Sequence, residues 1–149
     1  MTTIAVNKHM IAGDKRMTHS SGTIMTGVTK IYEIPKSTAK DVFDAKRVLV
    51  GFCGNVDSFA DAIQWLHQPE ESPPKVKGIE MIMLNDRHEI YHATNLRNWT
   101  RLTDKFFAVG SGMQYAMAAM EAGKTPLEAV KIASKYDANT GNGFNSIEL

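Results

Sequence analysis

Apolar residues alternate with polar ones along most of this chain, and only three segments show helical spacing instead. Alternation is the period of a half-buried β-strand, whereas recurrence at three and four residues is that of an amphipathic helix. The pattern predicts strands at residues 2–8, 9–14, 22–34, 44–54, 105–112 and 141–149, and a hairpin at 76–94 that turns at Asn85 and Asp86. It predicts helices at 57–67, 112–123 and 125–138.

This order of elements does not alternate strand and helix as a βαβ chain does. Runs of strands, then one helix, a hairpin, two consecutive helices and a last strand predict an α+β fold with mostly antiparallel sheets. Two helix starts carry local signals. Asp57 or Ser58 is the expected N-cap of the first helix, and Thr125, Pro126 and Glu128 form a capping-box pattern at the start of the last one.

Composition narrows the class of protein. With 149 residues, 43% of them apolar, the chain predicts a single domain over 1–149. Its net charge of +1 gives no basis for nucleic-acid binding, and no apolar run is long enough to cross a membrane. A single cysteine, Cys53, and the lack of an export signal favour the cytoplasm.

No cofactor or metal ion is expected from the motifs. The five histidines lack metal-ligand spacing, and the glycine turn "GSG" at 110–112 lacks the lysine of a phosphate-binding loop. Cys53 lies inside an apolar strand and is interpreted as a core residue, not a nucleophile.

The N-terminus offers a catalytic possibility. Threonine at position 2 is small enough for Met1 to be removed, which would leave Thr2 with a free α-amine beside its own hydroxyl. That amine has an ordinary pKa of about 7.7 to 8.0, close to the working pH of a general base. A nearby lysine would favour its neutral form, and an aspartate would hold the lysine in place. Lys30 and Asp14 are the candidates, although on these residues alone an ordinary strand start is the favoured explanation of Thr2.

Six segments in order resemble one family along nearly the whole chain. They are "TTIAV", "IAGDKRMT", "GVTKIYEI", "LVGFCGNVDSFADAI", "FAVGSGMQYAMAAMEAG" and "YDANTGNG". The chain is thereby similar to the proteasome β-subunit and HslV-like family of N-terminal-nucleophile (Ntn) threonine hydrolases. The resemblance implies a four-layer αββα sandwich of antiparallel sheets. It also implies a threonine-type endopeptidase that acts on peptides or unfolded proteins inside a homo-oligomeric ring or double ring. Since the sequence has no ATP-binding motif, any AAA+ unfoldase would be a separate protein.

The same resemblance implies a role for each site residue. Thr2 becomes the nucleophile, Lys30 the residue that tunes it, Asp14 the partner of Lys30, and the backbone N–H of Gly54 the oxyanion donor. The implied polar shell of the Thr2 amine is Ser111, Asp137 and Thr140. The implied substrate-binding residues are Thr18, whose backbone pairs with the peptide, and Met17, Phe52 and Val56, which line an apolar first specificity pocket.

Two departures from the family keep alternatives open. The loop "PEESPPKVKG" stands where the family has a second long helix, so we expect a shortened member with one helical layer reduced. Asn55 stands where a second glycine is usual. A non-catalytic assembly subunit that retains Met1 is therefore the main alternative, and an amidase acting on small amides is a third.

Overall fold

The structure is a computed structural model that describes residues 2–70 and 72–149, so Met1 and its removal lie outside the described residues. Its strands are β1 (Thr3–Asn7), β2 (Met10–Asp14), β3 (Met17–Thr18), β4 (Ile24–Met25), β5 (Ile31–Ile34), β6 (Val48–Gly54), β7 (Ile79–Asn85), β8 (Ile90–Ala93), β9 (Thr100–Leu102), β10 (Phe106–Gly110) and β11 (Phe144–Glu148). Its helices are α1 (Lys36–Phe43), α2 (Val56–His67), α3 (Met113–Glu121) and α4 (Pro126–Tyr136).

Antiparallel pairing joins these strands into two main sheets, which confirms the predicted α+β class. One sheet has the order β10-β1-β2-β11, and the other has the order β5-β6-β7-β8-β9. A small ribbon of β3 and β4 completes the pairing. The N-terminal strand β1 is therefore an interior strand of the first sheet, with β10 on one side and β2 on the other.

Alternation along β1 divides its side chains between two cores. Ile4 and Val6 pack in a cluster that also contains side chains of β6 and β7, so the two sheets share one apolar core. Ala5, between them in sequence, points to a second cluster with α3 and α4. In register, Ala5 faces Ala12 of β2 and Ala108 of β10. This row of small side chains lets the two helices approach the sheet closely.

The opposite face of the second sheet packs against α1 and α2. Ala39 of α1 and Leu66 of α2 belong to a third cluster, together with side chains of β6 and β7. The Thr38 hydroxyl donates to the carbonyl oxygen of His67 at 3.1 Å and ties the two helices together. Helix α1 was not predicted, because Pro35 precedes it and no side chain caps its start.

Other boundaries differ from the sequence-based predictions for local reasons. The expected strand over 22–34 is two separate strands, β4 and β5. Helix α2 begins at Val56, one residue earlier than predicted, because the Asn55 side chain accepts from the Asp57 N–H and acts as N-cap in place of Asp57 or Ser58. Strand β9 was missed. The hairpin turn at Asn85 is confirmed, as is the capping box of α4 with Thr125 as N-cap.

We expect Gly51→Ala to destabilise the fold by about 1–3 kcal/mol through overpacking between the sheets. A Cβ at this position would lie 2.6 Å from Cγ2 of Ile4 and 3.1 Å from Cδ1 of Ile11. Urea unfolding measures the loss. Gly27→Ala is the matched control, because a Cβ there meets no atom within 4 Å. Equal stability of the two variants would contradict the close approach of the sheets at Gly51.

Candidate active site

Three side chains from three segments meet at one end of the two sheets. Thr2 precedes β1, Asp14 ends β2 and Lys30 precedes β5, and all three are at most 1% exposed. The Lys30 ammonium forms an ion pair with Oδ1 of Asp14 at 2.8 Å. The Thr2 hydroxyl donates to the same carboxylate oxygen and accepts a hydrogen bond from Lys30 Nζ. The structure therefore brings together the three residues predicted as the catalytic centre.

Backbone groups complete the coordination of this ion pair. Asp14 Oδ1 accepts the N–H of Thr3 at 3.0 Å. Asp14 Oδ2 accepts the N–H groups of Gly141 at 2.9 Å and Arg16 at 3.2 Å. Lys30 Nζ also donates to the carbonyl oxygen of Arg16. Both carboxylate oxygens are thus satisfied, as a buried charge requires.

Burial governs the proton affinity of Lys30. It lowers the pKa of the ammonium group, and the charge and hydrogen bond of Asp14 oppose this shift without reversing it. Since Lys30 also donates to the Thr2 hydroxyl, its positive charge favours the alkoxide form of that hydroxyl. The arrangement suits activation of Thr2 as a nucleophile.

A second polar group lies beside the Thr2 backbone. The hydroxyls of Ser111 and Thr140 each donate to Asp137 Oδ2 at 2.6 Å. The Ser111 hydroxyl oxygen also lies 3.4 Å from the carbonyl oxygen of Thr2, and the hydroxyls of Thr140 and Thr3 lie 2.6 Å apart. Desolvation raises the pKa of Asp137, but the hydrogen bonds from Ser111, Thr140 and Asn139 outweigh it, and the pKa is lowered. The predicted shell residues thus share one network.

A cleft of about 430 Å³ opens between residues 17–20, which follow Arg16, and residues 54–57 at the end of β6, and none of Thr2, Asp14 and Lys30 is among the residues that line it. It contains four of the predicted residues, Met17, Thr18, Gly54 and Val56. The predicted pocket residue Phe52 lies elsewhere. Its side chain is fully buried in the core against α2, where it packs on the rings of Phe59 and Tyr32 at centroid distances of 5.6 and 5.8 Å. The cleft also contains Asn55, the residue that stands where a second glycine is usual in the family, and three polar residues that were not predicted as site residues, His19, Ser20 and Asp57.

Gly54 is required by the backbone that packs against it. Its φ is +103°, and a Cβ would lie 2.0 Å from the carbonyl oxygen of Gly78. The family resemblance implied only that the backbone N–H of Gly54 is the oxyanion donor, whereas contact with Gly78 is sufficient to explain why this residue is glycine. Gly54 remains exposed on the cleft, where its backbone is accessible.

The turn "GSG" proves to be part of the site. Gly110 has φ +98°, and a Cβ there would lie 1.9 Å from the carbonyl oxygen of Thr2. A Cβ at Gly112 would lie 2.1 Å from the hydroxyl oxygen of Thr3. The two glycines therefore let Ser111 approach the N-terminal strand closely. The family resemblance implied a role for Ser111, but its two flanking glycines were considered only as part of a phosphate-binding loop.

Cys53 is held as a neutral thiol between the sheets. Its Sγ–H donates to Glu80 Oε2 at 3.8 Å, and Glu80 also pairs with His92 Nε2 at 2.9 Å. Burial, together with the Glu80 carboxylate, raises the pKa of the thiol to about 12. Among the described residues no group of three or more metal-ligating side chains occurs. No helix within 2–70 and 72–149 has the length and apolar character needed to cross a membrane.

Solved structures of one fold cover almost the whole chain, although no family model and no curated protein matches it. Eukaryotic HslV from Trypanosoma brucei superposes with a TM-score of 0.68 at 16% identity, over 99% of this chain and 98% of HslV. Thiobacillus denitrificans BPH in complex with epoxomicin superposes with a TM-score of 0.69 at 17% identity, over 99% of this chain and 97% of BPH. The Anbu (Gly-1) mutant from Hyphomicrobium sp. strain MC1 superposes with a TM-score of 0.75 at 10% identity, over 100% of this chain and 82% of Anbu.

These identities show the fold alone. The chain has the fold shared by HslV, BPH and Anbu, so the predicted fold resemblance is confirmed at that level. The expectation of a shortened member is not confirmed, because the superposition covers nearly all of the HslV and BPH chains.

We expect Cys53 to resist alkylation by iodoacetamide in the folded protein. With a pKa of about 12, only about one thiol in ten thousand is ionised at pH 8, and the thiolate is the reactive form. Mass spectrometry should show no adduct in native buffer and one adduct after unfolding in concentrated urea. Rapid modification of the native protein would make Cys53 a competing candidate for the nucleophile.

Proposed function

We propose that this chain is a threonine endopeptidase whose nucleophile is the hydroxyl of Thr2 after removal of Met1. The observation that supports this most directly is the contact of the Thr2 hydroxyl with the buried Lys30–Asp14 ion pair. The likeness in fold to HslV, and to a protein solved with epoxomicin bound, supports the same class of chemistry.

The proposed reaction begins with a free α-amine on Thr2. That amine, or a water bound to it, takes the hydroxyl proton, while Lys30 stabilises the developing charge on the oxygen. The oxygen attacks the peptide carbonyl, and the backbone N–H of Gly54 donates to the resulting oxyanion. The C–N bond then breaks, the proton passes to the departing amine, and an ester to Thr2 remains. Water hydrolyses this ester, which releases the acid product and restores the hydroxyl.

Met1 decides whether this reaction is available. While Met1 is attached, the Thr2 nitrogen is an amide and accepts no proton near neutral pH, so the hydroxyl lacks its base. Ser111, Asp137 and Thr140 would then act once the amine is free, since their shared network lies against the Thr2 carbonyl and Thr3.

The cleft supports a peptide as the substrate. Thr18 lies on the short strand β3 at its wall, where an extended peptide would add as a further strand. Met17 and Val56 offer apolar contact to the first side chain of the substrate, and Phe52 supports that wall from the core behind it. An apolar side chain before the cleaved bond is therefore the proposed preference.

The three core clusters support the proposed four-layer αββα arrangement. Helices α3 and α4 pack on one sheet, the sheets pack on each other, and α1 and α2 pack on the second sheet. We retain the proposal that the layer of α1 and α2 lacks a long helix present in the family, because the described residues of 68–78 contain no helix.

One observation favours the alternative of a non-catalytic assembly subunit that retains Met1. In the chain that still carries Met1, Thr2 is only 1% exposed, so a substrate carbonyl has no direct access to its oxygen. The two proposals differ in one measurable property, which is the reactivity of Thr2 after Met1 has been removed.

The test uses protein whose residue 2 is exposed by removal of a cleavable fusion. In this protein we expect Thr2→Ala to lower the turnover of an apolar peptide at least about a thousandfold. Labelling of Thr2 by an epoxyketone should be lost as well, because both reactions need the same oxygen. Thr100→Ala on strand β9 is the matched control and should keep both activities. Substantial turnover by Thr2→Ala would refute Thr2 as nucleophile. A wild-type protein with a free amine that neither turns over nor labels would favour the non-catalytic alternative.

We also propose that copies of the chain assemble into a ring or double ring in the cytoplasm and receive unfolded chains from a separate AAA+ protein. Large apolar side chains remain exposed on the described surface, namely Ile24, Met25, Val56, Tyr115 and Tyr136. Tyr115 and Tyr136 stack at a centroid distance of 5.6 Å across α3 and α4. Burial of such surface favours association.

Sedimentation at micromolar concentration should therefore show a species several times heavier than the 16.5 kDa chain. The assembly should persist in Thr2→Ala, because that change removes only one hydroxyl and one methyl group. Detection of the 16.5 kDa species alone would overturn the proposed ring.

A further inference from the structure

Arg16 connects the catalytic centre to a distant loop, and the sequence analysis gave it no role. Its backbone serves the centre directly, because its N–H donates to Asp14 Oδ2 and its carbonyl oxygen accepts from Lys30 Nζ. Its side chain points the other way. Nε donates to Asn142 Oδ1 at 2.6 Å, and Nη1 donates to the carbonyl oxygen of Ala138 at 2.5 Å.

These two hydrogen bonds hold the loop of residues 137–143, which follows α4. Asn142 has φ +58°, an uncommon value for a residue with a side chain. Gly141 lies directly against the guanidinium group, since a Cβ there would be 3.2 Å from Nη2 of Arg16. The backbone holds the end of this loop, because the Lys15 N–H donates to the carbonyl oxygens of Gly141 at 3.2 Å and Gly143 at 3.0 Å, and the Arg16 side chain adds anchors at Ala138 and Asn142.

The anchored loop supplies three contacts to the catalytic centre. The N–H of Gly141 donates to Asp14 Oδ2, Thr140 contacts the hydroxyl of Thr3, and Asp137 accepts from Ser111. Each of these contacts spans more than twenty residues of sequence, and the first two span more than a hundred. Their alignment therefore depends on how the loop sits against the Asp14–Arg16 segment.

We propose that Arg16 is a positioning residue for the reaction of Thr2, in which its guanidinium group clamps the 137–143 loop so that Gly141 and Thr140 stay aligned on Asp14 and Thr3. This inference rests on the proposed function. Arginine suits the task because its planar group presents donors in a fixed fork, so that one side chain reaches both Asn142 and Ala138. Lysine would offer a single point charge at the end of a flexible stem.

The expected effect is on the rate of the chemical step. Small misplacement of reacting groups costs large factors in rate. The hydrogen bonds of the Arg16 side chain go to Asn142 and Ala138, neither of which lines the cleft, so peptide binding should change little. With residue 2 exposed, Arg16→Met should lower kcat about tenfold or more and leave KM within about twofold. Arg16→Lys should lower kcat as Arg16→Met does, because lysine lacks the forked donor group that reaches both Asn142 and Ala138.

Asn142→Gly tests the same clamp from its other end. Glycine tolerates the positive φ and removes only the acceptor, so this variant should lower kcat in the same way. The double variant should be little worse than either single one, because both remove one interaction. Arg47→Met is the matched control, since Arg47 pairs with Glu33 at 2.5 Å on the surface and contacts no residue of the centre.

Hydrogen exchange separates this inference from the proposed function. In Arg16→Met and Asn142→Gly, peptides that cover 137–143 should exchange at least about tenfold faster than in the wild type and in Arg47→Met. If the wild type is inert towards peptide and epoxyketone, the proposed function fails, and exchange alone then decides whether the clamp exists.

Unchanged exchange, an unchanged kcat, or a loss confined to KM in both clamp variants would overturn the inference. If Arg16→Met fails to fold, Asn142→Gly provides the same readings.

Discussion

The buried ion pair of Lys30 and Asp14 determines how the ends of the two sheets must meet. Two charges removed from water cost several kcal/mol each unless they are paired and their remaining hydrogen-bonding capacity is met. Here both are at most 1% exposed, so the neighbouring backbone has to provide the missing partners. The N–H groups of Thr3, Arg16 and Gly141 and the carbonyl oxygen of Arg16 do so. The segments beside β1, β2 and β11 therefore converge on one carboxylate from the first sheet, while Lys30 reaches it from the second.

Much of this arrangement follows from patterns that are local in sequence. Alternation located β1 and β2, and the capping box located the start of α4, because both signals reflect the backbone hydrogen bonding of a few neighbouring residues. The pairing of Thr2 with Asp14 and Lys30 was also predictable. The family resemblance implied it. Thr2 and Asp14 stand at the ends of predicted strands and Lys30 stands within the predicted strand over 22–34, which by itself indicates no contact between them.

The features that sequence analysis missed depend on contacts between distant segments. Phe52 was expected in the cleft, but alternation along β6 turns it towards the helices, where two aromatic rings enclose it. Helix α1 has no capping side chain and is stabilised by packing against α2. Arg16 lies in a segment that was recognised as important, yet its partners Ala138 and Asn142 lie more than 120 residues away, and no local pattern reveals them.

The interior place of β1 has a consequence for the synthesis of the chain. The first strand is made early, but its neighbour β10 and the contact from Thr140 come from the last third of the sequence. Thr3 and Thr140 are 137 residues apart, which at typical translation rates corresponds to roughly 7 to 27 seconds. During that interval Thr2 has neither its full sheet nor its polar shell. Under the proposed function, Thr2 would therefore lack its complete polar shell until the 137–143 loop has been made.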